Sequence, residues 1–188
     1  MGIWQRLFGE TSLATIDKPT RVKIEGHVSS GNDAVGLMTG MRGALVEVQF
    51  AGRYLRVSSR RNEAAEEVFE VIATFVTEQP LRVKCLGGEL LVPTRGLSVR
   101  FPGDDHGVPI DRPVPPEFAK ALASAETMGR MLFYRELSLS HGDKVRVEAT
   151  IAPSTEVDAD GYRGAVSKGW VVRPDLGPVV VEDRSLDD

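Results

Sequence analysis

The chain has 188 residues, 41% hydrophobic and 27% charged, with a net charge of −4. That length supports one domain with a real core plus appendages, and the acidic balance argues against a dedicated nucleic-acid binder, whose affinity comes largely from neutralising phosphates. A single cysteine, Cys85, excludes an intramolecular disulfide or a cysteine-built zinc site, and no apolar run reaches the roughly 18–20 residues of a spanning helix, so the expected place is the cytoplasm, at most peripheral to a membrane.

Residues 1–9, MGIWQRLFG, put Ile3, Trp4, Leu7 and Phe8 on one helical stripe. Two readings compete for this segment, which the expected organisation extends over residues 1–19. One is a turn docked on its own domain or on a partner subunit. The other is a membrane-interface foot with Trp4 at headgroup level.

From Thr20 the pattern is β. Val22, Ile24 and Val28 alternate with Arg21, Lys23 and His27, and Gly31-Asn32-Asp33 breaks the run. Ala44 to Phe50 alternates again, Ala51-Gly52 reads as a turn, and Tyr54 to Val57 as the returning strand. Ala64 to Glu67 has helical propensity, but the β-branched and aromatic residues that follow favour a strand from Val68 to Thr77. Leu81 to Phe101 holds two alternating runs that meet at Gly87-Gly88, a pair that supplies the positive φ angles of a tight hairpin, and a third run after Pro93. Together they read as a β-meander.

Residues 102–116 hold five of the eleven prolines and read as a long surface loop. Pro116 is well placed to open a helix to about Met128, with Phe118, Leu122 and Ala125 as its buried stripe and Gly129 as its stop. Asp143 to Ile151 is a strand, Asp158 to Gly161 a turn, and Trp170–Val172 and Val179–Val181 are the last short strands, before a frayed tail from residue 184. Some eight to ten strands and one helix therefore predict an all-β protein. Its expected form is a small OB-like barrel or sandwich over residues 20–183, with a helical insertion at about 116–129.

Chemistry is sparse. His27 reads as a cross-strand or surface residue, His141 as part of a turn, and Cys85 as a small buried hydrophobe. Asp104-Asp105-His106 has ligand-type side chains, but loop acids beside Gly and Pro commonly serve as turn formers. No GxSxG, HExxH, P-loop or GxGxxG motif is present, and neither a metal nor another cofactor is expected. The densest basic cluster is Arg53, Arg56, Arg60 and Arg61 with Tyr54, a composition that can bind phosphates and stack on bases. Its plainer reading is a solvated strand end neutralised by Glu63, Glu66 and Glu67.

Five blocks taken in order resemble a known arrangement: VKIEGHVSS, LMTGMRGALVEVQF, LRVKCLGGELLVPTRG, YRELSLSHGDKVRVEATI and GWVVRPDLGPVVVED. The order is similar to that of the GIDE-type, or "beside a membrane", domain of membrane-anchored mitochondrial ubiquitin ligases and many bacterial proteins. Val22 to Val28, Thr39-Gly40, Gly88 to Pro93, Glu136 and Gly142-Asp143 stand at the family's marked positions. The resemblance spans roughly residues 20–183. It implies a non-catalytic binding or regulatory module working near a membrane, with no catalytic residues to transfer. One cysteine cannot build a RING finger, so ligase activity is not part of the implication.

The expected function is thus a β-barrel module that binds a protein or peptide. Its recognition surface is expected at a sheet edge and the loops near Met38, Met41 and Arg42, with Asp105 and His106 in the proline-rich loop. The second reading is an OB-like nucleic-acid binder using Arg53, Tyr54, Arg56, Arg60 and Arg61. The third is an uncharacterised enzyme with Asp105 and His106 in its active loop.

Overall fold

A computed structural model describes residues 12–56, 65–100, 107–154 and 169–184. Among these residues thirteen strands and one α-helix follow one another: β1 (Thr20–Val28), β2 (Ala34–Val35), β3 (Arg42–Gly43), β4 (Leu45–Arg56), β5 (Glu66–Val76), β6 (Leu81–Cys85), β7 (Gly88–Val92), β8 (Leu97–Arg100), β9 (Val108–Pro109), α1 (Pro116–Thr127), β10 (Met131–Leu139), β11 (Lys144–Ser154), β12 (Gly169–Val172) and β13 (Val179–Asp183).

Five strands close a ring in the order β1-β6-β7-β12-β11 and back to β1. All neighbours are antiparallel except β7 and β12, which run parallel with Trp170 opposite Leu90. In chain order the ring therefore reads first, second, third, fifth, fourth, which makes it an OB-like barrel of mixed strands. One long edge of β11 pairs with β1, while the other is shared between β13 and β12. Alternation explains the filling. Ile24 and Val28 of β1, Leu81 and Val83 of β6, Leu90 and Val92 of β7, and Val145, Val147, Ala149 and Ile151 of β11 all point inward and are buried. The intervening Lys23, Glu25, Arg82, Lys84 and Glu89 face water. Leu13, in a short 3-10 turn, and Ile16, which follows it, are also buried in this core, and the Trp170 indole donates to the Ile16 carbonyl at 3.3 Å.

Two insertions leave the barrel and meet. Residues 29–80, between the first and second ring strands, supply β2 to β5; residues 93–143, between the third and fourth, supply β8, β9, α1 and β10. β4 pairs with β10 along nine positions, from Leu45–Leu139 to Arg53–Met131. The result is a second sheet, β5-β4-β10-β9. Helix α1 covers one face of it: Leu122 and Phe118 pack with Phe50, Ile72, Phe75 and Tyr134, and the Phe50 and Phe118 rings lie 5.1 Å apart. Pro116 opens the helix, and Gly129, at φ +76°, follows its end.

Several expectations change. Ala51-Gly52 is not a turn: β4 runs unbroken through it, and the missing side chain at Gly52 makes room for Arg130 and Ile72. The third run after Pro93 does not complete a meander. β8 pairs in parallel with β13 instead. β10 falls in a stretch to which the sequence reading assigns no element, and the single barrel acquires a second sheet with its own core. The proposed segments 1–9 and 158–161 and the residues Arg60, Arg61, Asp105 and His106 lie outside the described residues, as does most of the tail. Among the described residues no helix is long and apolar enough to cross a membrane.

Candidate functional site

The residues between β2 and β3 form a tight loop closed on itself. Gly36 N–H donates to the Met41 carbonyl at 2.7 Å, and Gly40 N–H donates to the Gly36 carbonyl at 3.1 Å. Gly40 sits at φ +72°, a left-handed conformation that glycine adopts without cost. Met41 N–H donates to the Thr39 hydroxyl at 3.1 Å.

Two side chains from the other insertion clamp this loop. Glu136 of β10 accepts the Met38 N–H at 2.8 Å and the Thr39 N–H at 3.2 Å, and also accepts the Thr39 hydroxyl. Arg112, in the stretch before α1, donates to the Met38 carbonyl at 2.8 Å. The carboxylate lies so close to Gly36 that a β-carbon there would collide with it. Both Glu136 oxygens are engaged by loop donors, so the residue acts as a staple and not as a free base.

Of the sequence-derived candidates, Met38 is only 4% exposed and belongs to the second core. Its neighbours carry the surface. Met41 is 51% exposed, Val35 is 47% exposed, and Arg42 is exposed opposite Val35 in the two-residue β2–β3 pair. The loop thus buries one methionine as an anchor and displays the other, beside a valine and an arginine.

The basic candidates lie elsewhere, at the far end of β4. Arg53 pairs with Glu67 at 3.2 Å and stacks over the Phe133 ring at 5.0 Å. Arg56 stands opposite Glu66 in register, and a hydrogen bond with Tyr54 raises its pKa. Arg130 covers the Tyr54 ring at 4.9 Å and pairs with Glu70 at 3.0 Å. Arg53, Tyr54, Glu67 and Arg130 line an open groove of about 630 Å³ together with Leu55, Met128 and Met131, and none of the loop residues 36–42 lines it. Strand β5 therefore sets a glutamate against each of Arg53, Arg56 and Arg130.

Sequence reasoning missed a buried polar cluster. Glu47 of β4 is 2% exposed. Its carboxylate accepts the Gln49 amide at 2.6 Å and the backbone N–H of Val99 in β8 at 3.1 Å. Gln49 in turn accepts Arg135 through two bonds of 2.9 and 2.6 Å. Burial pushes the Glu47 carboxyl above its ordinary pKa, and the bonds from Gln49 and Val99 and the nearby Arg135 charge oppose that rise. The V-E-V-Q alternation of β4 reads as one dry and one wet face; β8 covers the nominally wet one at Glu47.

The remaining candidates have structural surroundings. His27 is exposed between Lys144 and Lys84 on neighbouring strands. The His141 ring lies 3.3 Å from the Ser30 carbonyl. Burial pushes the Cys85 thiol up to about 12. Among the described residues no group of three or more histidine, cysteine or acidic side chains is placed to hold a metal ion. In comparisons with known proteins the chain matches no family model, no curated protein and no solved structure.

Proposed function

We propose that this β-barrel protein is a non-catalytic module that recognises a protein or peptide partner through the surface of residues 39–42 and Val35. The observation that carries the reading is the clamp on that surface. Seven hydrogen bonds involving Gly36, Met38, Thr39, Gly40 and Met41, with their partners Glu136 and Arg112, fix the loop. A surface ordered before binding loses little conformational freedom on association. Methionine and arginine are also residue types enriched at interfaces. The resemblance to the GIDE-type domain supports the same class, a regulatory module acting in the cytoplasm beside a membrane. The glutamates facing Arg53 and Arg56 leave the nucleic-acid reading without a comparable supporting feature.

A photo-crosslinking amino acid at position 41 tests the reading, with a second one at exposed Val108 as the control. The expected result is one discrete protein adduct from position 41 and none from position 108. Equal labelling from both positions, or adducts with nucleic acid alone, would overturn it.

A further inference from the structure

Strands β6, β1, β11 and β13 lie side by side in the barrel sheet, and their outward side chains fall into rows across the strands. One row alternates in sign. Glu25 stands opposite Arg146, Arg146 opposite Glu182, and Glu182 opposite Arg100 of β8. Arg146 holds both of its neighbours, Glu25 at 2.9 Å and Glu182 at 3.4 Å. The next row carries one sign only. Lys84 stands opposite His27, and His27 opposite Lys144. The Lys144 carbonyl in turn accepts the backbone N–H of Arg184, the residue after β13, at 2.9 Å. Lys84 and His27 are exposed. Glu89 of β7, which stands opposite Lys84, is engaged one row further on: it accepts the Ser29 hydroxyl at 2.6 Å and pairs with Arg82 at 3.1 Å. Like charges directly opposite each other in a sheet are unfavourable, and outward side chains add nothing to the barrel core. The row is a strip of positive charge on a chain whose net charge is −4.

The hydrogen bond from Arg146, and then the charges of Arg146, Lys144 and Arg184, hold the Glu25 carboxyl below its ordinary pKa, so these cations share its face. We propose that Lys84, His27, Lys144 and Arg184 form a docking strip for a linear oligophosphate, an inorganic polyphosphate chain lying across the strands. Neighbouring strands are about 4.8 Å apart, so the four residues span roughly 14 Å. A chain with a charge on every unit meets each cation in turn, whereas a lone orthophosphate reaches one or two. A wide anionic surface, such as a bilayer or a nucleic-acid duplex, would also press against Glu25 and Glu182 in the adjoining row; a narrow chain does not. An extended acidic peptide spaces its same-face carboxylates at about 6.7 Å, out of step with the strip. It would also find no backbone edge to join, because β1 and β11 are paired on both sides here. Neither Phe, Tyr nor Trp stands in the row as a platform for bases. Lysine, a compact charge with three rotatable donors, suits phosphate oxygens. The strip does not depend on the partner-binding role of residues 39–42.

Titration of the full chain with inorganic tripolyphosphate, followed by amide NMR shifts, tests the strip. Saturable shifts are expected at residues 27, 84, 144 and 184, and none at Arg53 and Arg130, the arginines of the distant groove. The double variant His27→Gln with Lys84→Gln changes two exposed side chains and should melt as the wild type does. It is expected to bind tripolyphosphate at least about tenfold more weakly, the loss of two charge-assisted contacts. Orthophosphate is expected to bind far more weakly than tripolyphosphate. Four results would overturn the proposal: no saturable shift, or shifts spread evenly over the basic surface; orthophosphate binding as tightly as tripolyphosphate; a double variant that binds and melts as the wild type does; or a nucleoside triphosphate or anionic phospholipid vesicles binding the same residues more tightly than tripolyphosphate.

Discussion

Glu136 and Thr39 lie 97 positions apart in the chain, and the carboxylate of the first accepts both the backbone N–H and the hydroxyl of the second. The contact joins the two insertions of the barrel and turns a glycine-rich loop into a fixed surface. Removing the carboxylate leaves the Met38 and Thr39 N–H groups to find other partners, at about 1–3 kcal/mol if they stay unpaired. Glu136→Ala is expected to lower stability within that range in a urea titration and to speed amide exchange at residues 38–41. Gly36→Ala, whose β-carbon would strike the same carboxylate, should reproduce both effects. Unchanged exchange in either variant would remove the clamp from the account.

Two carboxylates are expected to respond to pH in opposite senses. Burial raises the pKa of Glu47 in the folded chain, so ionisation opposes folding above the ordinary carboxylate range. That penalty fades as pH falls through the raised value. The stability of Glu47→Gln relative to wild type should therefore rise from acid to neutral pH. Glu25 is the reverse case: its hydrogen bond from Arg146 lowers its pKa, so its contribution is present above the ordinary carboxylate range and lost as pH falls through the lowered value. Glu25 is half-exposed, and an ion pair of this kind is worth less than about 1 kcal/mol. Glu25→Gln should thus cost a small amount at neutral pH and nothing in acid. Parallel slopes for the two variants would contradict the assignment.

Leu13 tests the boundary of the barrel core. It precedes the first strand by seven positions and is wholly buried among Leu90, Val92 and other barrel residues. Leu13→Ala is expected to cost about 2–5 kcal/mol, the range for a leucine truncated in a packed core. A cost below about 1 kcal/mol would show that the turn only rests on the barrel.

Cys85 should be unreactive. With its thiol pushed up to about 12 by burial, almost no thiolate exists at mildly alkaline pH. Alkylation of the native chain is expected to be far slower than that of the same chain in denaturant. Equal rates would show that the barrel opens at the β6–β7 turn.

The legible parts of this fold are its local ones. Alternation and Gly87-Gly88 give the β6–β7 hairpin, and Pro116 and Gly129 bracket the helix from the sequence. Strand β5 and the two halves of β4 also show in the pattern. Which sheet they join does not, because Val48 and Phe50 alternate as barrel residues do and bury instead against α1. β10 is masked by its mixed MLFYRELSL composition, in which Arg135 and Glu136 serve two different polar clusters on opposite faces. Thr39-Gly40 and Glu136 appear in the family-like motifs as separate marks; only the pairing of β4 with β10 brings Glu136 to the loop. Glu47 leaves no sequence signal, because its burial depends on β8, which lies some fifty residues further along the chain.

The surface of residues 39–42 is proposed to hold a partner. The decisive measurement is the affinity of the protein crosslinked at position 41 for the wild type and for Met41→Asp, with melting curves recorded on both. Met41 is half-exposed, so the variant should melt as the wild type does. Met41→Asp is expected to lose at least about tenfold in affinity, the effect of removing one well-packed interface side chain. Unchanged affinity with an unchanged melting curve would place recognition elsewhere on the protein.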